Sequence, residues 1–155
     1  MSKVRDVAIV RLGMYELVPP FKHIPLIKGD GLELRLSDKC YYTEHKIPCY
    51  EYFIYVDGNK AGVITILIED DFQKIREVGN IGVEIAIEFY GQELPSRATK
   101  ATYSLLRDHG VNSILITCDK DKKAIAEACK QLSANYLDTI TVTDGVDKDR
   151  YTLNL

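Results

Sequence analysis

From Ile81 to Glu88 the sequence alternates without a break: Ile81, Val83, Ile85 and Ile87 fall on one side, Gly82, Glu84, Ala86 and Glu88 on the other. Such a period of two belongs to a strand, and its regularity predicts the central strand of a sheet. The segment after this strand narrows the choice of fold. Beyond the turn-like Tyr90-Gly91-Gln92-Glu93, Pro95 stands where a helix can open, since the N–H it lacks has no partner in a first helical turn. Ala98, Ala101, Thr102, Leu105 and Leu106 then form one stripe, and His109-Gly110 ends it. A second strand is predicted over Asn112 to Cys118, and Asp121 is placed to cap a helix whose inner face is Ala124, Ile125, Ala128, Cys129 and Leu132.

On either side of this strand–helix–strand–helix centre the pattern is β. Leu32, Leu34 and Leu36 alternate with Glu33 and Arg35, and Tyr50 to Val56 runs through Asp57-Gly58-Asn59 into Ala61 to Ile68 as a hairpin. Glu69 to Glu77 reads as a short surface helix or loop. Tyr136 to Val142 and Arg150 to Leu155 close the chain as strands around Asp144-Gly145. Residues 1–30, with Pro19, Pro20, Pro25 and Gly29, suit an irregular arm packed on a single domain of residues 31–155.

Composition excludes several classes of function. The chain has 155 residues, 46% of them hydrophobic, enough for one core. Twenty Lys and Arg against 23 Asp and Glu give a net charge of −3, which attracts neither a phosphate backbone nor an anionic bilayer. No nucleic-acid partner and no membrane association are expected. Apolar runs such as Gly62 to Ile68 have the length of buried strands. Only Val7 to Val10 is apolar before Arg11, too short for a secretory segment, so a cytoplasmic protein is expected. Cys40, Cys49, Cys118 and Cys129 make no CxxC pair, and His23, His45 and His109 show no ligand spacing, so free thiols and no metal are expected.

Chemistry is most readily placed at the junction between the central strand and its helix. The first N–H groups of a helix have no intrahelical partner and carry partial positive charge, which suits an anion. Every strand–helix junction offers as much. Added specificity comes from three segments in order: Gly79-Asn80-Ile81-Gly82-Val83-Glu84-Ile85, Arg97-Ala98-Thr99-Lys100-Ala101, and Leu115-Ile116-Thr117-Cys118-Asp119-Lys120-Asp121. Together they resemble the GNAT superfamily of acyl-CoA-dependent N-acyltransferases, over about four-fifths of the chain from Gly31 to Arg150-Tyr151.

The resemblance implies an α/β protein with a splayed, mixed central sheet flanked by helices. It implies acetyl-CoA as co-substrate, its pantetheine arm paired with the backbone of Ile85, Ala86 and Ile87, and its pyrophosphate on the loop and helix start. The family's loop reads Arg or Gln, two residues, Gly, any residue, then Gly or Ala. Here the matching stretch is Glu93-Leu94-Pro95-Ser96-Arg97-Ala98, so a carboxylate replaces the basic position and Ser96 the inner glycine. A carboxylate ~4 Å from a phosphate charge costs roughly 4 kcal/mol at an effective dielectric of 20. Arg97 is the residue expected to offset Glu93. In an alternative register Gln92 is the polar anchor. The family's pantetheine-contacting Asn corresponds to Lys122, and the Tyr that protonates the leaving thiolate corresponds to Cys129, a residue whose place on the apolar stripe equally fits a buried thiol.

Removing a proton from the acceptor amine needs a base, for which Glu84 and Glu88, on one strand face, are candidates. Tyr41, Tyr42, Tyr50, Tyr52 and Tyr55 would serve either as an acceptor-site wall or as ordinary strand residues. The expected function is N-acetyl transfer from acetyl-CoA to a small-molecule or peptide amine by direct attack. The alternative is a non-catalytic member of the fold whose loop no longer binds acetyl-CoA. The acceptor would be shaped by residues 25–48, which carry no motif, and exposed strand edges would suit a homodimer.

Overall fold

A computed structural model describes residues 9–13 and 20–155; much of the expected arm, residues 1–8 and 14–19, lies outside them. The chain order is β1 (Ile9–Arg11), β2 (Leu26–Gly29), β3 (Leu32–Tyr42), β4 (Ile47–Val56), β5 (Asn59–Leu67), β6 (Ile81–Ile85), α1 (Leu94–Ala101), α2 (Tyr103–Asp108), β7 (Ser113–Asp119), α3 (Lys123–Gln131), β8 (Asn135–Thr141) and β9 (Asp147–Asn154). Two sheets result. One runs β1-β3-β4-β5-β6, with β2 also on β3, and the other runs β7-β9-β8. The mixed α/β architecture agrees with the sequence.

Local chemistry explains the first sheet. β2 and β3 meet through Asp30-Gly31, and β4 and β5 through Asp57-Gly58, with positive φ at all four residues. Two successive left-handed residues make the turn whose twist matches a hairpin, and Gly at the second position adopts it without strain. In β4, Tyr50, Tyr52, Ile54 and Val56 turn one way and pack with Leu94, Ala98, Leu105 and Leu106 of α1 and α2. Fully burying each such leucine is worth about 1.5–3 kcal/mol. The opposite face holds a smaller core of Cys40, Cys49, Leu67, Ile75 and Leu115.

The tyrosine cluster belongs mostly to the packing. Tyr50 and Tyr52 are fully buried. The Tyr50 hydroxyl accepts the Lys22 N–H at 2.8 Å and lies 2.7 Å from His109 Nε2, while the Tyr52 hydroxyl donates to the Ile24 carbonyl at 2.8 Å. These bonds pin residues 22–24 and the end of α2 to β4, which removes both rings from any acceptor wall.

Several boundaries differ from the sequence reading. β6 stops at Ile85; the Ala86 N–H makes the last bond to β5, on the Ala61 carbonyl at 2.8 Å, and Ile87–Phe89 then forms a 3-10 turn. The expected single helix from Pro95 to His109 is interrupted at Thr102, whose hydroxyl and N–H both bond the Thr99 carbonyl, at 2.7 and 3.0 Å. Such back-bonding by threonine competes with the helix ladder. Glu69 to Glu77 forms turns, and Lys122 rather than Asp121 stands at the N-cap of α3.

The feature that positions the site is the seam between the sheets. No ladder joins β6 to β7 among the described residues; they are fastened at one end by Asn80. Its N–H donates to the Leu115 carbonyl at 2.7 Å and its Oδ1 accepts the Leu115 N–H at 2.7 Å. Its Nδ2 donates to the carbonyls of Leu67 at 3.0 Å and Glu69 at 2.7 Å. Gly79 precedes it at φ +71°, and a Cβ there would lie 2.6 Å from the Leu115 carbonyl oxygen. The close approach that starts the splay therefore requires glycine.

Candidate functional site

Beyond Asn80 the two inner strands diverge, and the wedge between them has two different parts. Near the fastening it is filled by Ile81, Val83, Ile116, Ile125, Cys129 and Leu132, which leave a void of about 20 Å³. That is room for about one water, in apolar surroundings. Farther out it opens into a cleft of about 730 Å³, bounded by Val83 to Ile85, by Phe89 to Gly91, by Glu93 to Pro95 at the start of α1, and by Lys122 to Ile125 at the start of α3.

The register of β6 decides which main-chain groups face this space. Ala86 bonds to Ala61, so the antiparallel alternation sends Glu84 and Gly82 towards β5 and turns the N–H and C=O groups of Val83 and Ile85 towards β7. Of the expected Ile85, Ala86 and Ile87, only Ile85 offers its backbone to the cleft. The Ala86 N–H is committed to Ala61, and Ile87 lies in the 3-10 turn with its side chain 74% exposed. Val83, which the sequence reading left out, takes their place.

Side chains alternate in the same way. Glu84 pairs across the ladder with Val63, and Val63 with Phe53, on the face away from the three helices. Glu84 is half-buried there beside the cleft. Glu88 does not share its face, since it lies exposed on the 3-10 turn.

The loop residues divide sharply. Leu94 is buried and Pro95 partly so, both at the cleft wall. The helix has no side-chain N-cap bond from Glu93, which adopts the left-handed conformation at φ 57°. Arg97 donates its own N–H to the Glu93 carbonyl, which leaves the N–H groups of Leu94 and Ser96 as the first-turn donors without a helical acceptor. These fit a phosphate oxygen.

Other expected contacts are spoken for. The Arg97 guanidinium donates to the Asp30 carbonyl at 2.6 and 3.2 Å and to the Gln92 carbonyl at 3.1 Å, stapling the β2–β3 turn to the loop. It is thus directed away from offsetting Glu93, and Gln92 lies exposed outside the cleft lining. The Ser96 hydroxyl lies between Gln131 Oε1 at 2.6 Å and the Glu93 carbonyl at 3.0 Å, and Ala98 is fully buried one turn into the helix. Lys122 lies at the cleft rim, its Nζ 3.5 Å from Asp119 Oδ2.

Cys129 is not in the cleft. It is 1% exposed in the apolar wedge, and burial pushes its thiol up to about 12. A thiol so enclosed cannot reach a leaving group in the open part, so the acid role is withdrawn. All four cysteines are unpaired and buried. No group of three His, Cys, Asp or Glu side chains stands together as a metal site among the described residues, and no described helix is long and apolar enough to cross a membrane. Residues 25–48, expected to carry acceptor loops, are almost entirely strand, with one 3-10 turn at Glu44–Lys46.

Similar solved structures identify the architecture. RimL, a ribosomal L7/L12 α-N-protein acetyltransferase in complex with coenzyme A, superposes with a TM-score of 0.65 at 16% identity, over 84% of this chain and 98% of that one. The chain has the GNAT acetyltransferase fold. The microcin C7 self-immunity acetyltransferase MccE, in complex with acetyl-CoA and AMP, gives a TM-score of 0.56 at 19% identity over 69% of this chain and 61% of that one. The aminoglycoside acetyltransferase AAC(6')-Ib, in complex with coenzyme A, gives 0.56 at 16% identity over 68% and 66%. No family model matches the sequence, and no curated protein matches it by sequence.

Proposed function

We propose that this GNAT-fold chain transfers an acetyl group from acetyl-CoA to an amine. The observation that carries the reading is the open end of the wedge, where the backbone of Val83 and Ile85 and the first N–H groups of α1 converge on one cleft. A pantetheine arm is a chain of amides, which strand N–H and C=O groups recognise; a pyrophosphate suits a helix start. The residues present fit both, with Lys122 and Lys123 supplying positive charge across the cleft.

The proposed chemistry is direct. The amine nitrogen attacks the thioester carbonyl, the carbon–sulfur bond breaks, and the CoA thiolate leaves. A strand N–H polarises the carbonyl as negative charge develops on its oxygen. Glu84, on the face opposite the helices, accepts the proton that the amine must lose, so the acceptor approaches from that side. A peptide N-terminus or a small primary amine is the acceptor class; RimL, an α-N-protein acetyltransferase, lends support to the first.

Thermal unfolding tests the reading. At 100 times its dissociation constant, acetyl-CoA stabilises a protein by about 2.7 kcal/mol, so a clear rise in Tm is expected. No shift at millimolar acetyl-CoA would overturn it and leave a non-catalytic protein on the same fold.

A further inference from the structure

Glu93 presents the contradiction on which the acetyl-CoA reading turns: a carboxylate at the mouth of a site for a polyanion. It stands at the N-cap of α1, where a negative charge is attracted to the helix's first N–H groups and so competes with phosphate. The carboxylate does not cap the helix. Its Oε1 accepts instead from Gln131 Nε2, at 2.9 Å, at the far end of α3. The carboxylate only accepts, so it meets the NH2 end of the amide and leaves Gln131 Oε1 to the Ser96 hydroxyl, which lies 2.6 Å from it and 3.0 Å from the Glu93 carbonyl. Three side chains from α1, its cap and α3 thus form one chain of hydrogen bonds that leads away from the cleft at Glu93.

We infer that Gln131 is a positioning residue for acetyl-CoA binding: it holds the Glu93 carboxylate towards α3 and keeps the N-terminal N–H groups of α1 available to the pyrophosphate. The inference rests on the acetyltransferase reading. It gives Ser96 a role that its place in the loop does not suggest, as the hydroxyl that meets the oxygen end of the Gln131 amide. Released from Gln131, the Glu93 carboxylate is expected to turn towards its own helix start, where it would oppose the phosphate by charge.

The test is the acetyl-CoA dissociation constant, measured by calorimetry at low and high salt for the wild type, Gln131→Met, Glu93→Gln and the double variant. Gln131 is exposed, so its substitution leaves the core intact, and the Tm of each variant without ligand checks this. Gln131→Met is expected to weaken binding about tenfold at low salt and less at high salt, the mark of a freed charge. Adding Glu93→Gln to Gln131→Met should restore binding to within about threefold of wild type, because the competing charge is gone. Two results overturn the inference: Gln131→Met binding as tightly as wild type, or a double variant as weak as Gln131→Met. Failure of the wild type itself to bind acetyl-CoA would instead refute the acetyltransferase reading and, with it, this role.

Discussion

The fastened and the open ends of the seam between β6 and β7 are made by the same two strands and behave as opposites. At the fastened end Asn80 uses its backbone N–H and both ends of its side-chain amide on four bonds, and apolar side chains fill the wedge. At the open end, strand main chain, a helix start and charged side chains surround about 730 Å³ of space. The difference teaches that the splay is a structural solution before it is a binding site. A sheet can diverge and still fold only if one end is tightly paired, and the backbone at the other end is then left facing the cleft.

The largest effect should come from breaking the fastening. Asn80→Leu would leave the main-chain groups of Leu115, Leu67 and Glu69 short of partners in a buried setting, at about 1–3 kcal/mol for each unsatisfied group. A loss of about 4 kcal/mol in urea unfolding is expected. A loss under about 1 kcal/mol would show that the apolar wedge alone holds the sheets together.

A paired substitution sharpens the contrast between the ends. Glu84→Gln at the open end should lower kcat about 100-fold with little change in acetyl-CoA affinity and little loss of stability. Cys129→Ala at the closed end should do the reverse, costing about 1–2 kcal/mol of stability while leaving kcat within about twofold. A fall in affinity alone for Glu84→Gln, or a large fall in kcat for Cys129→Ala, would refute this division of roles.

The smallest expected effect concerns pH. Burial among the core rings lowers the proton affinity of His109, with the Lys22 charge acting in the same direction. The unfolded chain then binds a proton near pH 6.5 that the fold still refuses, so stability should decline as pH falls from about 6.5 towards the folded value. The imidazole is only about half buried, which keeps the change well under about 1 kcal/mol. Tm against pH for wild type and His109→Gln measures it; parallel curves would show that the Tyr50 bond tolerates the charged ring.

Much of the fold was legible because it is written in local periods. The alternation at Ile81 to Ile85, the hairpin turn at Asp57-Gly58 and the stripe from Ala98 to Leu106 each report, over a few residues, which way side chains must point to leave water. The resemblance rests in part on the same stretches, at Gly79 to Ile85 and Arg97 to Ala101, and on Leu115 to Asp121. Site residues fared unevenly. Glu84, Leu94 and Lys122 line the cleft, whereas Cys129 and Gln92 do not. Asn80, with both a donor and an acceptor beside Gly79, offered a signal of close strand approach that spacing alone did not bring out.

What the amino-acid order determined, then, was the run of elements, the inward faces and the presence of a strand–helix junction. Tertiary structure alone decided how that junction is lined. Arg97 reaches Asp30 across 67 residues, Gln131 reaches Glu93 across 38, and the Ala61 carbonyl accepts the Ala86 N–H. Burial is encoded by neighbours in sequence, whereas a hydrogen bond's partner is chosen by whichever segment the completed fold brings within about 3 Å.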